Sequence, residues 1–324
     1  MAEPTKLYMV IPCYNEQAVL EKTANIISTK FDNMIDQKLI SEHSRIVFVN
    51  DGSKDQTWSI ICALHQQDPL RFCGIDLAHN VGHQNALLAG LMTVKEYCDI
   101  AITMDADLQD DVNAISSMVQ AYDCGNQVVY GVRSSRKTDT VFKRLTAEAF
   151  YKFMHLMGVE IVFNHADFRL MSKRVLMELA NYSEINLFLR GLIPQIGFRS
   201  TKVYYERHER AAGESKYPPH KMISFAIEGI TSFSVKPLKI IFNLGFIMTV
   251  ISIIAIVWAF VGKLLGNTEI GWSSTMCSIW MIGGIQLLCL GIIGEYIGKI
   301  YAEVKRRPRY IVAEFLHTTS KEEV

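Results

Sequence analysis

The hydrophobic pattern changes character about two thirds of the way along the chain. Up to Lys239, short apolar runs alternate with amphipathic stretches, whereas residues 240–262 and 270–294 contain no charged side chain. In the first part Leu7–Ile11, Arg45–Asn50, Phe72–Leu77 and Ile100–Met104 are β-like. Between them Glu16–Ser28, Thr57–Gln67 and Gln84–Tyr97 carry apolar residues at three- and four-residue intervals. This alternation predicts right-handed βαβ units and a mostly parallel sheet, hence an α/β fold. Ligands of such sheets bind beyond the carboxyl ends of the strands.

Each charge-free stretch is long enough to cross a hydrocarbon core of ~30 Å, which takes roughly 20 helical residues. Buried helices of a soluble core are the competing reading, but ordinary core helices are shorter. Only Lys263–Glu269 separates the two stretches, so a transmembrane hairpin is expected, with Trp258 and Trp272 near its outer end. Lys236 and Lys239 precede it, and Lys299, Lys305, Arg306, Arg307 and Arg309 follow it. The excess of basic residues on that side predicts a multi-pass protein of the cell (inner) membrane with both termini cytoplasmic. No apolar signal segment precedes the first strand.

The expected organisation is a catalytic domain over residues 1–217, an amphipathic juxtamembrane helix over 218–237, two membrane helices within 238–298 and a basic cytoplasmic tail over 299–324. Met222, Phe225, Ile230 and Phe233 with Lys221 and Lys236 suggest that the juxtamembrane segment lies on the inner leaflet, although packing on the catalytic domain fits equally. Membrane lipid is therefore an expected partner. Gly283, Gly284, Gly291 and Gly294 would serve either close packing of the hairpin or a homo-oligomer.

Charge and cysteine usage narrow the function. Of the 324 residues, 33 are Lys or Arg and 33 Asp or Glu, and a net charge of zero argues against nucleic acid as a partner. The 7 cysteines are scattered without metal-ligand spacing, which fits a reducing compartment.

Polar motifs occupy the expected strand ends: Pro12-Cys13-Tyr14-Asn15-Glu16, Asp51-Gly52-Ser53-Lys54-Asp55, His79-Asn80-Val81-Gly82 and Asp105-Ala106-Asp107. Any one of them could be a turn or a helix cap. Four converging on one rim point to a ligand site. No G-x-G-x-x-G follows the first strand and no Walker A lysine motif occurs, so glycine-rich dinucleotide and P-loop binding are excluded. Asp105 and Asp107, one residue apart, read either as a solvated acidic turn or as a site for a divalent cation that bridges a diphosphate.

Together, Val10-Ile11-Pro12-Cys13-Tyr14-Asn15-Glu16, Val49-Asn50-Asp51-Gly52-Ser53, Asn80-Val81-Gly82 and Asp105-Ala106-Asp107-Leu108-Gln109 resemble the GT-A glycosyltransferases of family 2. The likeness is closest to the polyprenyl-phosphate glycosyltransferases, the group of bactoprenol glucosyltransferase and dolichyl-phosphate mannose synthase. It extends through Arg210-Ala211-Ala212-Gly213-Glu214-Ser215-Lys216-Tyr217 to Gly294-Glu295-Tyr296-Ile297-Gly298-Lys299. The resemblance implies a GT-A nucleotide-sugar-binding domain and inverting transfer of one sugar from a nucleotide sugar, a UDP sugar in preference to a GDP sugar, to polyprenyl (undecaprenyl) phosphate.

It also implies roles for individual residues. Pro12, Tyr14 and Glu16 would line the nucleoside pocket, and Asp51 would read the base edge. Asp105, Asp107 and Gln109 would hold Mg²⁺ or Mn²⁺, with Asp105 near the ribose. Arg133 would bind donor phosphate. Arg207, Arg210, Ser215 and Lys216, with Lys143, Arg144 and Thr146, would bind the acceptor phosphate. Asp167 would either orient the acceptor or act as a base, unless it only pairs with Arg169 or caps the helix before residues 172–179. Asp110 and Asp111 read as first-turn acids of the helix that follows, and His79 and His83 as pocket wall or chemical groups. A flippase and a second transferase would act downstream.

Two other functions share parts of this pattern. A processive polysaccharide synthase needs a longer membrane pore and a Q-x-x-R-W-type motif, for which Arg190-Gly191-Leu192 is a poor substitute. A non-catalytic membrane scaffold would not need the acidic motif.

Overall fold

A computed structural model describes residues 4–134, 165–185, 187–206, 231, 234–264 and 271–318. The chain divides into two units, one of residues 1–151, 161–217 and 307–324, the other of residues 152–160 and 218–306.

The first unit is built on an eight-stranded sheet. In chain order its elements are β1 Leu7–Cys13, α1 Leu20–Asp36, β2 Arg45–Asn50, α2 Thr57–Gln67, β3 Phe72–Leu77, α3 His83–Val94, β4 Ile100–Thr103, α4 Ala114–Asp123, β5 Val128–Arg133, β6 His165–Ser172, α5 Lys173–Leu179, α6 Leu189–Gln195, β7 Ser200–Tyr205 and β8 Val312–Leu316. The strand order is β7-β5-β6-β4-β1-β2-β3-β8. Strands β4, β1, β2 and β3 run parallel, as the alternating pattern predicts, and β6 and β8 are antiparallel to their neighbours.

Burial on both faces explains why β1 and β2 read as continuous apolar runs. Leu7, Met9 and Ile11 face one core with Ile27 and Phe31 of α1 and Met118 of α4, while Tyr8 and Val10 face a second with Leu87, Leu88 and Leu91 of α3. Helix α3 lies close against the sheet because residue 90 is glycine. A Cβ there would come within 2.4 Å of Val10 Cγ1 and 2.8 Å of Val49 Cγ2.

The strand order reverses at β1. From β1 the chain steps out to β2 and β3, then returns to place β4 on the other side of β1. The loops after β1 and β4 therefore leave from adjacent strand ends, at the topological switch point where open α/β sheets form a crevice.

Three expectations need correction here. Residues 299–324 are not simply a basic tail, because Val312–Leu316 pairs with β3 and covers what would be a bare sheet edge. The His317 ring centroid then lies 4.5 Å from that of Tyr97, tilted against it, and its Nε2 lies 3.2 Å from the Tyr8 hydroxyl. Asp110 and Asp111 are not first-turn acids, since α4 begins at Ala114 and has no acid in its first turn. Asp167 does not cap a helix, because it lies inside β6, and Ser172 caps α5 by accepting from the Val175 N–H.

The second unit contains α7 Lys236–Leu264 (29 residues) and α8 Trp272–Lys305 (34 residues). Phe242, Phe246, Ile254 and Trp258 of α7 and Leu287 and Leu290 of α8 are exposed in the isolated chain. Among the described residues, Met281–Lys305 is the stretch long and apolar enough by length and composition to cross a membrane. Helix α8 runs beyond the expected end at Gly294 and stops at Arg306, which takes the left-handed conformation (φ 47°). Most of the expected juxtamembrane helix, residues 218–237, lies outside the described residues, and Lys236 and Pro237 belong to α7.

Candidate functional site

The four polar loops meet at the carboxyl ends of β1 to β4, and hydrogen bonds between them fix their arrangement. Asn15, itself in the left-handed region (φ 55°), donates its N–H to Ser53 Oγ (3.0 Å) and accepts from the Lys54 N–H (2.9 Å). The Glu16 N–H donates to Thr57 Oγ1 (2.9 Å), and that hydroxyl donates to Asp55 (2.6 Å). Asp55 thus joins the loop after β1 to the start of α2. Pro12 is buried in β1, whereas the ring of Tyr14 is exposed over the rim.

Asp51 is buried and accepts from the N–H groups of Val81 (2.7 Å) and Gly82 (3.1 Å), one on each carboxylate oxygen. Burial raises its pKa in spite of those bonds. The loop it holds leaves no room at Gly52 (φ 63°), where a Cβ would meet the Asn80 nitrogen at 2.5 Å. Gly82 (φ 85°) then turns the chain so that α3 begins with His83.

The acidic turn after β4 is equally constrained. Thr23 of α1 donates to the Ala106 carbonyl (2.8 Å), Leu108 sits at φ 54°, and Asp107 Oδ1 accepts from the Gln109 N–H (3.2 Å). Asp105 and Asp107 are half-buried, and Gln109 is buried. Burial, and then the charges of Asp167, Asp110 and Asp107, raise the Asp105 carboxyl to about 6 against the opposing pull of His83. Among the described residues, no three His, Cys, Asp or Glu side chains converge as a ready-made metal cage.

Beside this turn lies a cluster that is more extensive than the sequence suggests. Asp167 on β6 is buried. Its carboxylate pairs with Arg169 Nη2 and accepts from Arg190 Nε (3.2 Å) and Nη2 (2.8 Å). His83 Nε2 lies 3.4 Å from Asp167 Oδ2 and 3.5 Å from Asp105 Oδ1. Although burial opposes it, His83, Arg169 and Arg190 hold the Asp167 carboxyl well below the usual carboxylate range. Burial likewise disfavours the His83 imidazolium, but Asp167 and Asp105 outweigh it and leave its pKa above the ordinary value.

Asp110 belongs to a second cluster. It is buried, takes the Tyr205 hydroxyl as a donor and pairs with Arg133 Nη2 (3.2 Å). Arg133 Nε also lies 3.3 Å from the Tyr205 hydroxyl. Arg133, expected on donor phosphate, therefore shares its charge with Asp110 while staying partly exposed.

The structure thus brings together Pro12, Tyr14, Glu16, Asp51, Asp105, Asp107, Gln109 and Asp167 on the rim, with Arg133 at the end of β5. Lys143, Arg144, Thr146, Arg207, Arg210, Ser215 and Lys216 lie outside the described residues. The pairing of Arg190 with Asp167, the role of Tyr205 and the burial of Asp110 escaped the sequence reading. A usable signal was present for Arg190, an arginine at the start of an otherwise apolar helix.

Residues 8–180 match the family model described as glycosyl transferase family 2, and residues 236–300 match that of the GtrB C-terminal hairpin. The uncharacterized glycosyltransferase YkoT of Bacillus subtilis is 53% identical over 306 residues, which cover 94% of this chain and 90% of that protein. The SfII prophage-derived bactoprenol glucosyl transferase of Shigella flexneri is 39% identical over 309 residues, 95% of this chain and 97% of that protein. The prophage bactoprenol glucosyl transferase homolog of Escherichia coli K12 is 38% identical over 309 residues, 95% and 98% respectively.

Proposed function

Because the chain belongs to glycosyl transferase family 2, and is a glycosyltransferase, we propose that it moves one sugar, with inversion, from a nucleotide sugar to polyprenyl phosphate at the cytoplasmic face of the membrane. The product is a lipid-linked sugar for use in the cell envelope, after a flippase and a second transferase have acted. The observation that carries this reading is the placing of Asp105 and Asp107 at the switch-point crevice, beside Asp167. The acceptor class rests on likeness to the bactoprenol glucosyl transferases over nearly the whole chain.

Asp105 and Asp107 suit Mg²⁺ or Mn²⁺, which bind through one or two carboxylates and take their other ligands from substrate phosphates and water. Two recessed carboxylates that repel each other are a donor set that a hard cation relieves. Gln109 would complete the protein side. A bound cation would stabilise the charge that develops on the departing diphosphate.

The remaining roles belong to the chain's own side chains. Tyr14 offers a ring face to the base, and Asp51 is assigned to the base edge, with its carboxylate held in place by the Val81 and Gly82 N–H groups. Asp167 suits orientation better than proton removal, since both its oxygens accept from guanidinium groups and its pKa is low. A lipid phosphate needs no strong base, because its oxygen is anionic near neutrality, its second pKa being about 6 by analogy with phosphoserine. What it needs is cationic positioning against the donor diphosphate. Arg207, Arg210 and Lys216, with Ser215 and the Lys143, Arg144 and Thr146 stretch, are assigned to that task. The acidic cluster would serve no purpose in a scaffold, and two long helices are too few for a processive pore.

Purified protein incubated with polyprenyl phosphate, Mg²⁺ or Mn²⁺ and a panel of UDP and GDP sugars should yield a lipid-linked sugar, with a UDP sugar as the better donor. Absence of product with every donor would overturn the reading. The cation site makes a separate prediction about pH. A cation must displace the proton that Asp105 holds below about 6, so Mn²⁺ affinity should be full above that pH and fall as pH drops through it. Calorimetric titration across that range checks this, and a flat profile would detach Asp105 from the cation.

A further inference from the structure

The function just proposed gives no task to His83, yet this side chain touches both acidic groups of the site. It is the first residue of α3, and no side chain caps that helix start. Helix capping therefore does not account for it.

Strands β4 and β6 are adjacent, with Thr103 opposite Arg169, and the Thr103 hydroxyl donates to the Asp167 carbonyl. This register brings the turn that carries Asp105 next to Asp167. Both carboxylates lie within ion-pair distance of one side chain, so a group that bonds to both holds the turn and the cluster at a fixed separation. Arg169 and Arg190 are engaged with Asp167. Among the described residues, His83 Nε2 lies at ion-pair distance from both, 3.5 Å from Asp105 and 3.4 Å from Asp167. Its own position is fixed from behind, because Asp51 holds the N–H groups of Val81 and Gly82.

We propose that His83 is a positioning residue for sugar transfer, a bridge that fixes the cation-binding turn of Asp105 relative to the Asp167–arginine cluster. The proposal rests on the functional reading above. It follows that Asp51, His83, Asp105 and Asp167 form one connected path from the nucleoside pocket to the cluster next to the reacting groups. His83 touches neither substrate on this account. Its loss misplaces groups that do.

Two measurements on the full-length protein test this. In the transfer assay, His83→Leu should lower kcat by about 10- to 100-fold, the cost of a small misplacement at a reacting centre, with donor KM nearly unchanged. His83→Gln, whose amide can donate to both carboxylates, should recover most of that loss. Turnover of His83→Leu equal to wild type would overturn the proposal. So would a His83→Gln variant no better than His83→Leu, which would mean that only the shape of the side chain matters.

The second measurement needs no turnover. In protein labelled with ¹⁵N-histidine, the His83 ring resonance, assigned by its loss in His83→Gln, should shift in both Asp105→Asn and Asp167→Asn. A shift in only one of them, or in neither, would show that no bridge exists. If wild-type protein made no product with any donor, the functional reading would fail while the ring resonance still decided the bridge.

Discussion

Replacement of Asp107 by Ala should lower turnover by about 10³-fold or more, the scale of losing a principal electrostatic group at a developing charge, without loss of folding. Asp107 is partly exposed, and its Oδ1 accepts from the Gln109 N–H inside its own turn. The core of the sheet does not depend on it. In the proposed reaction, negative charge builds on the diphosphate as the bond to the sugar breaks, and Asp107 would hold a cation that stabilises this charge. Asp107→Asn keeps the shape and the acceptor oxygen but removes the charge, so it should lose nearly as much. Steady-state turnover read alongside a thermal melt separates the two effects. Unchanged turnover would remove Asp107 from the cation site, and a collapsed melt would mean that the residue is structural.

Replacement of Asp167 by Ala should lower turnover too, but unlike Asp107→Ala it should also cost the fold. Arg169 is 1% exposed and its Nη2 pairs with Asp167. Breaking a buried pair from one side leaves an uncompensated charge, which costs about 3–5 kcal/mol. For a domain of this size that lowers Tm by about 10 °C or more. Asp167→Asn retains one acceptor oxygen and should lose less. Removal of the arginine as well, in Asp167→Leu with Arg169→Met, should recover part of the stability, because an apolar pair leaves no charge stranded. Thermal melts of the three variants check this order. If Asp167→Ala melted like wild type while its turnover vanished, Asp167 would act on the reaction directly, and the positioning role assigned to it would be wrong.

The parallel half of the sheet was legible because β1, β2, β3 and β4 are buried on both faces and carry little but apolar residues. The rim was legible for a related reason. Polar residues that interrupt such runs, at Asp51, Asp105 and Asp107, have no core to enter and must meet solvent or ligand. Strand β6 was hidden because Asp167 and Arg169 look like surface charges in a sequence. The pairing of Asp167 with Arg169 was among the sequence expectations and is present, but its complete burial is a tertiary fact that no local pattern records. Strand β8 was hidden by its neighbours, since Arg306, Arg307 and Arg309 drew the eye to a membrane anchor and away from Val312–Leu316. Asp110 was misread because an acid just before a helix usually serves that helix. Here its partners, Arg133 and Tyr205, come from β5 and β7.

His83 shows the same limit at the site itself. Beside a glycine turn it reads equally as pocket wall or as a chemical group, and only the adjacency of β4 and β6 places it between two carboxylates. The acceptor side depends on motifs between Arg207 and Lys216, which the sequence indicates and the described residues do not include. Its assignment rests on likeness over the whole chain.

The most direct measurement identifies both products of one reaction. With purified protein, polyprenyl phosphate, a divalent cation and the preferred nucleotide sugar, mass spectrometry should find a polyprenyl monophosphate sugar and an equal amount of nucleoside diphosphate. That pairing means that the bond broken was the one between sugar and diphosphate, as the account requires. A polyprenyl diphosphate sugar with release of nucleoside monophosphate would mean transfer of a sugar phosphate instead, and would contradict it.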